Sequence, residues 1–103
     1  MDIETLEKLA GTPRDSAMLR LTLARLLMEK ESWKPAEDHL QAAIAMNAGY
    51  TAAWKELGRA RNLAGDRDGA GEAWRQGIEV ARKNGDKQAE REMAVFLKRL
   101  ASR

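Results

Sequence analysis

The chain has 103 residues, 44% of them hydrophobic and 33% charged, with no cysteine and a formal net charge of +2 at pH 7. This length is enough for one domain, and this composition is too apolar for a disordered chain and too charged for a membrane protein. The missing cysteines exclude disulfides, thiolate metal sites and thiol nucleophiles.

A short helix is predicted at the start of the chain, over residues 2–10, because apolar residues recur there at helical spacing. Asp2 is placed to cap its first turn. Gly11 can take the left-handed conformation that closes a helix, and Pro13 cannot continue one. Residues 1–14 are therefore expected to form an N-terminal helix and a turn.

Two longer helices are predicted next, over residues 17–30 and 33–46. Leucines and methionines on the first of them spread beyond one face, so this helix should be buried on more than one side. Ser32 is placed to cap the second helix, whose first turn tolerates Pro35. The pair forms the first predicted unit, residues 17–50.

A second unit is predicted over residues 51–84, with helices at about 52–64 and 68–83. Gly65 and Asp66 separate these helices, and Asp66 is placed to cap the second one. The two helices should lie antiparallel, because the turn between them is short.

The last segment, residues 85–103, is predicted to contain an amphipathic capping helix. Its apolar face is formed by Ala89, Met93, Phe96, Leu97 and Leu100. Stacked helical repeats leave an apolar face uncovered at the open end, and a terminal helix with one polar face keeps such an array in solution. The segment is therefore expected to cover the second unit.

The two units repeat one pattern at a spacing of 34 residues. The matching pairs are Leu23 and Leu57, Ala24 and Gly58, Ala36 and Ala70, Leu40 and Trp74, Ala43 and Gly77, and Ile44 and Ile78. A helix-turn-helix unit with this period is the signature of the tetratricopeptide repeat. The aromatic, Leu-Gly, Ala and bulky aromatic positions of that motif are held in the second unit by Trp54, Leu57, Gly58, Ala70 and Trp74.

On these residues the chain resembles a small tetratricopeptide-repeat (TPR) protein of the bacterial type, with about two repeats and a C-terminal capping helix. The resemblance implies an all-α fold, a right-handed α-α superhelix of antiparallel helix pairs, with about six helices in a single domain over residues 1–103. It also implies an interaction module, an adaptor or scaffold that binds a peptide or protein segment on its concave face and is not an enzyme.

A candidate binding surface follows from placing the first helix of each unit on the concave side. Arg25 and Arg59 occupy the same repeat position, and Lys55 precedes Arg59 by one helical turn, which predicts three cations on one surface. A cationic groove edged by methionine and leucine suits an acidic, partly apolar peptide, because arginine binds carboxylates bidentately and methionine adapts to varied shapes. The predicted partner-binding residues are Arg25, Lys55, Arg59, Met18, Leu21, Met28 and Asn62. An ordinary solvated face is the alternative, because exposed Lys and Arg are common on helices.

No catalytic, cofactor or metal site is predicted. His39 is the only histidine, and the chain has no cysteine to share a metal with it, so the sequence indicates a surface or internally satisfied histidine. Neighbouring carboxylates such as those of Glu29 and Glu31 lie two residues apart and point to different sides of a helix. No phosphate-binding glycine motif occurs in the sequence.

Two other functions remain open. One is a self-associating structural unit that forms a homo-oligomer, because stacking normally needs about three repeats and only two are present. The other is weak nucleic-acid binding, which falls steeply with salt and would use Arg61, Arg67, Arg75, Arg82 and Lys83. Acids are interspersed with these bases, which favours a solvated surface instead.

The sequence also predicts a cytoplasmic protein. No apolar run approaches the roughly 18 to 20 residues needed to span a bilayer. The first residues are acidic, whereas a signal peptide begins with a basic segment followed by an apolar block.

Overall fold

The described part of the chain is built from α-helices. The computed structural model describes residues 1–102, which form six helices: α1 (Ile3–Leu9), α2 (Ala17–Glu29), α3 (Trp33–Met46), α4 (Thr51–Leu63), α5 (Arg67–Asn84) and α6 (Lys87–Ala101). Each predicted helix is present, with ends close to those expected. Arg103, which the sequence places at the end of the last helix, lies outside the described residues. None of the six described helices has the length and apolarity needed to cross a bilayer.

Four of these helices begin at a side chain that caps them. The capping residues are Asp2, Ser16, Asp66 and Asp86. Each side-chain oxygen accepts a hydrogen bond from the main-chain N–H three residues later, at 2.8 to 3.1 Å. Because the first amides of a helix have no partner within the helix, these bonds fix where each helix starts.

The predicted cap at Ser32 is wrong in one respect. Ser32 occupies the N-cap position of α3, but its side chain forms no capping hydrogen bond. A capping side chain bonds the amide of the second or third helical residue, and the third residue of α3 is Pro35, which has no N–H. The start of α3 therefore rests on the main-chain bond from Ala36 N to Ser32 O, at 3.1 Å.

The turn within each unit contains one residue in the left-handed conformation. Gly65 has a φ of 89°, and Glu31, which holds the same repeat position 34 residues earlier, has a φ of 58°. Glycine adopts this conformation freely, whereas a residue with a Cβ is strained there. The two turns therefore fold alike although their residues differ.

Successive helices pack as antiparallel neighbours from α1 to α6, and α4 also contacts both α2 and α6. Helices α2, α4 and α6 therefore lie side by side in one layer, with α3 and α5 on the other side of them. This arrangement of sequential antiparallel pairs confirms the predicted all-α, TPR-like fold class.

Two clusters of apolar side chains hold the helices together. The first lies among α1 to α4, with Ala73 of α5 at its edge, and includes Leu23 and Leu40, both fully buried. The second joins α5 to α6 and includes Trp74 and Met93. Helix α6 thus buries apolar residues of α5, which is the covering role that a terminal helix has in a repeat array.

Candidate functional site

A groove of about 920 Å³ lies between α4 and α6, with Trp74 of α5 at its base. We refer to it as the α4–α6 groove. The residues that line it are Arg59, Asn62, Leu63, Trp74, Val95, Phe96, Lys98, Arg99 and Ser102. The groove is therefore formed by the side-by-side layer of helices, of which the sequence assigns α2 and α4 to the concave face.

The floor of the α4–α6 groove is aromatic. The rings of Trp74 and Phe96 have centroids 5.2 Å apart and planes inclined at 47°, a tilted geometry that is favourable for aromatic pairs. The indole Nε1 of Trp74 donates to the main-chain oxygen of Lys55 at 3.1 Å, so the indole's one donor is used inside the protein. Leu63 and Val95 form the walls, with 52% and 44% of their surface exposed. Together these four side chains present an apolar surface to a ligand.

The rim of the groove is cationic. Arg59, Lys98 and Arg99 line it, and none of the described lining residues is acidic. Lys98 and Arg99 are exposed and form no ion pair with a described residue. Arg59 differs, because its Nη1 donates to both carboxylate oxygens of Glu56 at 3.0 Å, and Glu56 is only 4% exposed. Arg59 is therefore the internal counter-ion of a buried carboxylate, and Lys98 and Arg99 are the cations left for a ligand.

A second groove, of about 380 Å³, lies between α2 and α4, and we refer to it as the α2–α4 groove. Its lining residues are Arg25, Met28, Glu29, Trp33, Glu56, Arg59 and Leu63. The two grooves share Arg59 and Leu63, so they are adjacent on one surface. Two carboxylates balance two cations in the α2–α4 groove, which leaves it without the charge excess of the α4–α6 groove.

Four of the seven predicted partner-binding residues line these grooves: Arg25, Met28, Arg59 and Asn62. The expectation that Leu21 and Met28 lie on an open surface is wrong, because they are 3% and 8% exposed and belong to the core cluster of α1 to α4. Helix α2 contacts α1, α3 and α4, and this covering on several sides buries its apolar residues.

The other two predicted residues, Lys55 and Met18, lie outside both grooves. The Nζ of Lys55 is 3.4 Å from Oε1 of Glu92 on α6. Because Lys55 and Arg59 each have a carboxylate partner, the predicted row of three cations is reduced to Arg25, which is exposed and forms no ion pair with a described residue. Met18 is 69% exposed near the start of α2.

Sequence reasoning missed the part of the groove that α6 contributes. The missed lining residues are Val95, Phe96, Lys98, Arg99 and Ser102. The sequence interpretation treats α6 only as a cover for the second unit. However, adding the 34-residue period to the bounds of α4, Thr51–Leu63, gives residues 85–97, and this range overlaps α6. Helix α6 holds the place of the first helix of a third unit, and this spacing is the signal that would have identified Val95 and Phe96. The other missed residues lie beyond residue 97, and the repeat gives no signal for them.

The basic residues of the predicted nucleic-acid surface are mostly engaged within the protein. The Nε of Arg61 is 3.1 Å from Oε2 of Glu37, and both side chains are largely buried. Arg67 donates to a main-chain oxygen of α6, and Arg82 bonds the carboxylates of two glutamates. These contacts leave few of the predicted cations for a phosphate backbone.

His39 is half-buried and bonded inside the protein, in agreement with the interpretation of a satisfied histidine. Its Nδ1 lies 3.0 Å from Nη1 of Arg20, and Arg20 also pairs with Asp15 at 2.8 Å. An arginine only donates, so Nδ1 accepts and the ring is neutral. Burial and, second, the charge of Arg20 lower the pKa of His39 from 6.5. Hydrogen bonds from Arg20 lower the pKa of Asp15 from 3.8 to about 2.

We expect the protein to lose stability as the pH falls from about 7 to about 5.5. A base whose pKa is lower in the folded chain stabilises the fold fully above its unfolded pKa of 6.5, and this contribution is lost as the pH falls through the folded pKa. Urea unfolding at both pH values measures the change. Because His39 is the only histidine, a His39→Gln variant, which keeps an acceptor for Arg20, should show a much weaker dependence. Equal dependence in the two proteins would contradict this assignment.

A known protein resembles this chain over almost its whole length. A TPR repeat-containing protein of Pseudomonas aeruginosa is 45% identical over 100 residues, which cover 97% of this chain and 95% of that protein. No family model matches the sequence. The likeness to the Pseudomonas protein therefore rests on the whole chain and not on a short motif.

Solved structures share the fold. The solution structure of a protein from Bordetella parapertussis matches with a TM-score of 0.86 and 39% identity, over 99% of this chain and 89% of that chain. The crystal structure of MamA matches with a TM-score of 0.71 and 25% identity, over 97% of this chain and 65% of that chain, so this chain spans about two thirds of MamA. With its 34-residue repeat, its helix pairs and a relative 45% identical over nearly its full length, the chain belongs to the TPR repeat-containing proteins.

Proposed function

We propose that this protein is a non-catalytic interaction module, an adaptor or scaffold, that binds a segment of another protein in the α4–α6 groove. Membership of the TPR proteins supports protein binding in general. The observation that favours this groove is its combination of exposed apolar walls with two cations that have no ion-pair partner among the described residues. Binding sites typically have this composition, an apolar interior with a few polar groups that orient the ligand.

The apolar part of the groove supplies the driving force in this proposal. Leu63 and Val95 expose large apolar side chains above a floor made by Trp74 and Phe96. A partner side chain placed between them removes apolar surface from water, and full burial of one such side chain contributes about 1.5 to 3 kcal/mol. Two such anchors contribute about 3 to 6 kcal/mol. Because association costs about 4 to 15 kcal/mol, further contacts from the rest of the segment have to complete the binding free energy.

Three of the predicted partner-binding residues belong to the proposed binding surface. Arg59 and Asn62 line the α4–α6 groove, and Arg25 extends the proposed surface into the α2–α4 groove. A cytoplasmic location, expected from the sequence, stays a prediction that goes with this function.

A second candidate is self-association, in which another copy of the chain covers the same surface. The observation that favours it is the position of α6 at the end of the stack, where Val95 is 44% exposed while Phe96 and Leu97 are only half-buried. The test of the first candidate therefore includes a measurement of the molecular mass of the purified protein in solution, which shows whether it forms a dimer.

A charge placed in the groove should abolish partner binding. Leu63 lines both grooves and is 52% exposed, so a Leu63→Glu variant is expected to fold and to lose its partners. Met46 is 47% exposed and lines neither groove, so Met46→Glu is the matched control. Affinity capture from a lysate of the source organism, quantified by mass spectrometry, compares both variants with the intact protein.

Proteins retained by the intact chain and by Met46→Glu, but not by Leu63→Glu, are the expected result. Circular dichroism must show that the two variants are equally helical. Sedimentation velocity of the purified protein separates the second candidate, because a dimer that Leu63→Glu dissociates and Met46→Glu leaves intact would favour self-association. Identical proteins retained by all three baits would rule out this surface.

A further inference from the structure

The spacing of groups along α6 sets the chemistry that the α4–α6 groove can recognise. Val95 and Arg99 are four residues apart, and Phe96 and Arg99 are three apart, so these side chains lie on one face of the helix. At a rise of about 1.5 Å per residue, Arg99 lies about 6 Å along the helix from Val95 and about 4.5 Å from Phe96. The groove therefore changes from apolar to cationic over roughly one helical turn.

Other polar groups around the groove are already used inside the protein. The indole N–H of Trp74 donates to a main-chain oxygen, and the guanidinium of Arg59 holds the buried carboxylate of Glu56. Moving Arg59 to a ligand would leave that carboxylate buried and unpaired, which is strongly unfavourable. Lys98 and Arg99 are therefore the charged side chains of the groove that can pair with a ligand without breaking an ion pair inside the protein.

We infer that the segment bound in the α4–α6 groove carries a bulky apolar residue and, about 6 Å from it along the segment in either direction, a carboxylate that pairs with Lys98 and Arg99. This inference rests on the proposed function and adds the chemistry of the partner. A distance of about 6 Å corresponds to four residues in a helix or to two residues in an extended strand. The recognised pattern is thus an apolar residue with Asp or Glu two or four positions before or after it.

The surroundings of the groove favour an acidic peptide over a nucleic acid. A phosphate backbone needs a continuous row of cations. On this layer Lys55 is paired with Glu92 and Arg59 with Glu56, and the neighbouring α2–α4 groove contains Glu29. These carboxylates interrupt the positive surface on both sides of the cationic rim. A short segment with one or two carboxylates fits such a confined positive region.

The test uses two capped decapeptides and the intact protein, followed by two-dimensional amide NMR. One peptide carries a phenylalanine with glutamates two and four positions before and after it, and the other has glutamines in their place. The glutamate peptide is expected to bind about five- to tenfold more tightly and to shift the amide signals of α4 and α6. This ratio corresponds to two partly exposed ion pairs.

Two variants with the same change in charge decide which cations are responsible. Lys98→Gln with Arg99→Gln should bind both peptides equally. Lys87→Gln with Arg91→Gln, exposed on the same helix but outside the groove, should keep the preference for glutamate.

Three results would overturn the inference. They are equal binding of the two peptides to the intact protein, a glutamate preference that survives in the Lys98 and Arg99 variant, and groove signals that respond to neither peptide. A ten-nucleotide oligo-dT that binds the groove more tightly than the glutamate peptide would assign it to nucleic acid instead. None of these results decides whether the groove binds another protein, because the Leu63→Glu capture experiment tests that proposed function separately.

Discussion

Replacing Gly58 with alanine is expected to lower the free energy of unfolding by about 1 to 3 kcal/mol. A Cβ at this position would overlap Nε1 of Trp74. Any shift of the indole away from the new methyl group disturbs its packing on Phe96 and its hydrogen bond to the main chain of Lys55. Overpacking costs about 1 to 3 kcal/mol, and the lost hydrogen bond of about 1 kcal/mol offsets the better helix propensity of alanine. Urea unfolding followed by circular dichroism measures the change.

The first unit supplies a matched rescue for this variant. The residues equivalent to Gly58 and Trp74 are Ala24 and Leu40, both fully buried, so alanine and leucine pack together at this crossing. The double variant Gly58→Ala, Trp74→Leu should therefore be more stable than the sum of the two single changes predicts. If the two losses simply add, the clash between the new methyl group and the indole is not the cause.

Replacing Arg59 with alanine is expected to destabilise the protein by about 1 to 2 kcal/mol at pH 7. The change leaves the carboxylate of Glu56, which is 4% exposed, without its ion-pair partner. Removing one member of a buried pair costs about 3 to 5 kcal/mol. The side chain of Arg59 is 49% exposed, so water screens this pair and we expect the smaller value. Chemical denaturation measures it.

Two further variants isolate the contribution of the pair. Arg25→Ala removes an exposed arginine at the same repeat position, which has no ion pair with a described residue, and should change stability little. Glu56→Gln combined with Arg59→Ala should recover part of the loss, because a neutral amide is less costly to bury than an unpaired carboxylate. Equal losses for Arg25→Ala and Arg59→Ala would show that Arg59 does not stabilise Glu56.

The fold is predictable from the sequence because its determinants are local or periodic. Asp66 marks the start of a helix within a few residues of chain, and Gly58 and Trp74 form a small-large pair that the 34-residue period makes visible. The exception at Ser32 is also local in origin. Ser32 is a residue type that commonly caps helices, but Pro35 has no N–H to donate to it. The missing cap follows only when the two residues are considered together.

The candidate site was only partly predictable because its charges depend on packing between helices. Lys55 and Glu92 are 37 residues apart and meet only when α6 lies beside α4, so the sequence shows an unpaired lysine. Glu56 and Arg59 are three residues apart, a spacing at which side chains on a helix can pair. The sequence does not show that Glu56 is buried, so it predicts Arg59 as a cation available to a partner. Lys98 lies on a helix that has no strong repeat motif, and its role in the groove follows only from where that helix packs.

The three tryptophans are distributed so that each reports on a different part of the surface. Trp74 forms the floor of the α4–α6 groove, Trp33 lines the α2–α4 groove, and Trp54 bonds the main-chain oxygen of Ala48 in the turn between the two units. Indole emission depends on the polarity around the ring. A ligand that fills the α4–α6 groove is therefore expected to change the emission of Trp74, and a ligand that fills the α2–α4 groove is expected to change the emission of Trp33. Tryptophans that pack within the fold are thus expected to give an intrinsic fluorescence signal for binding in either groove.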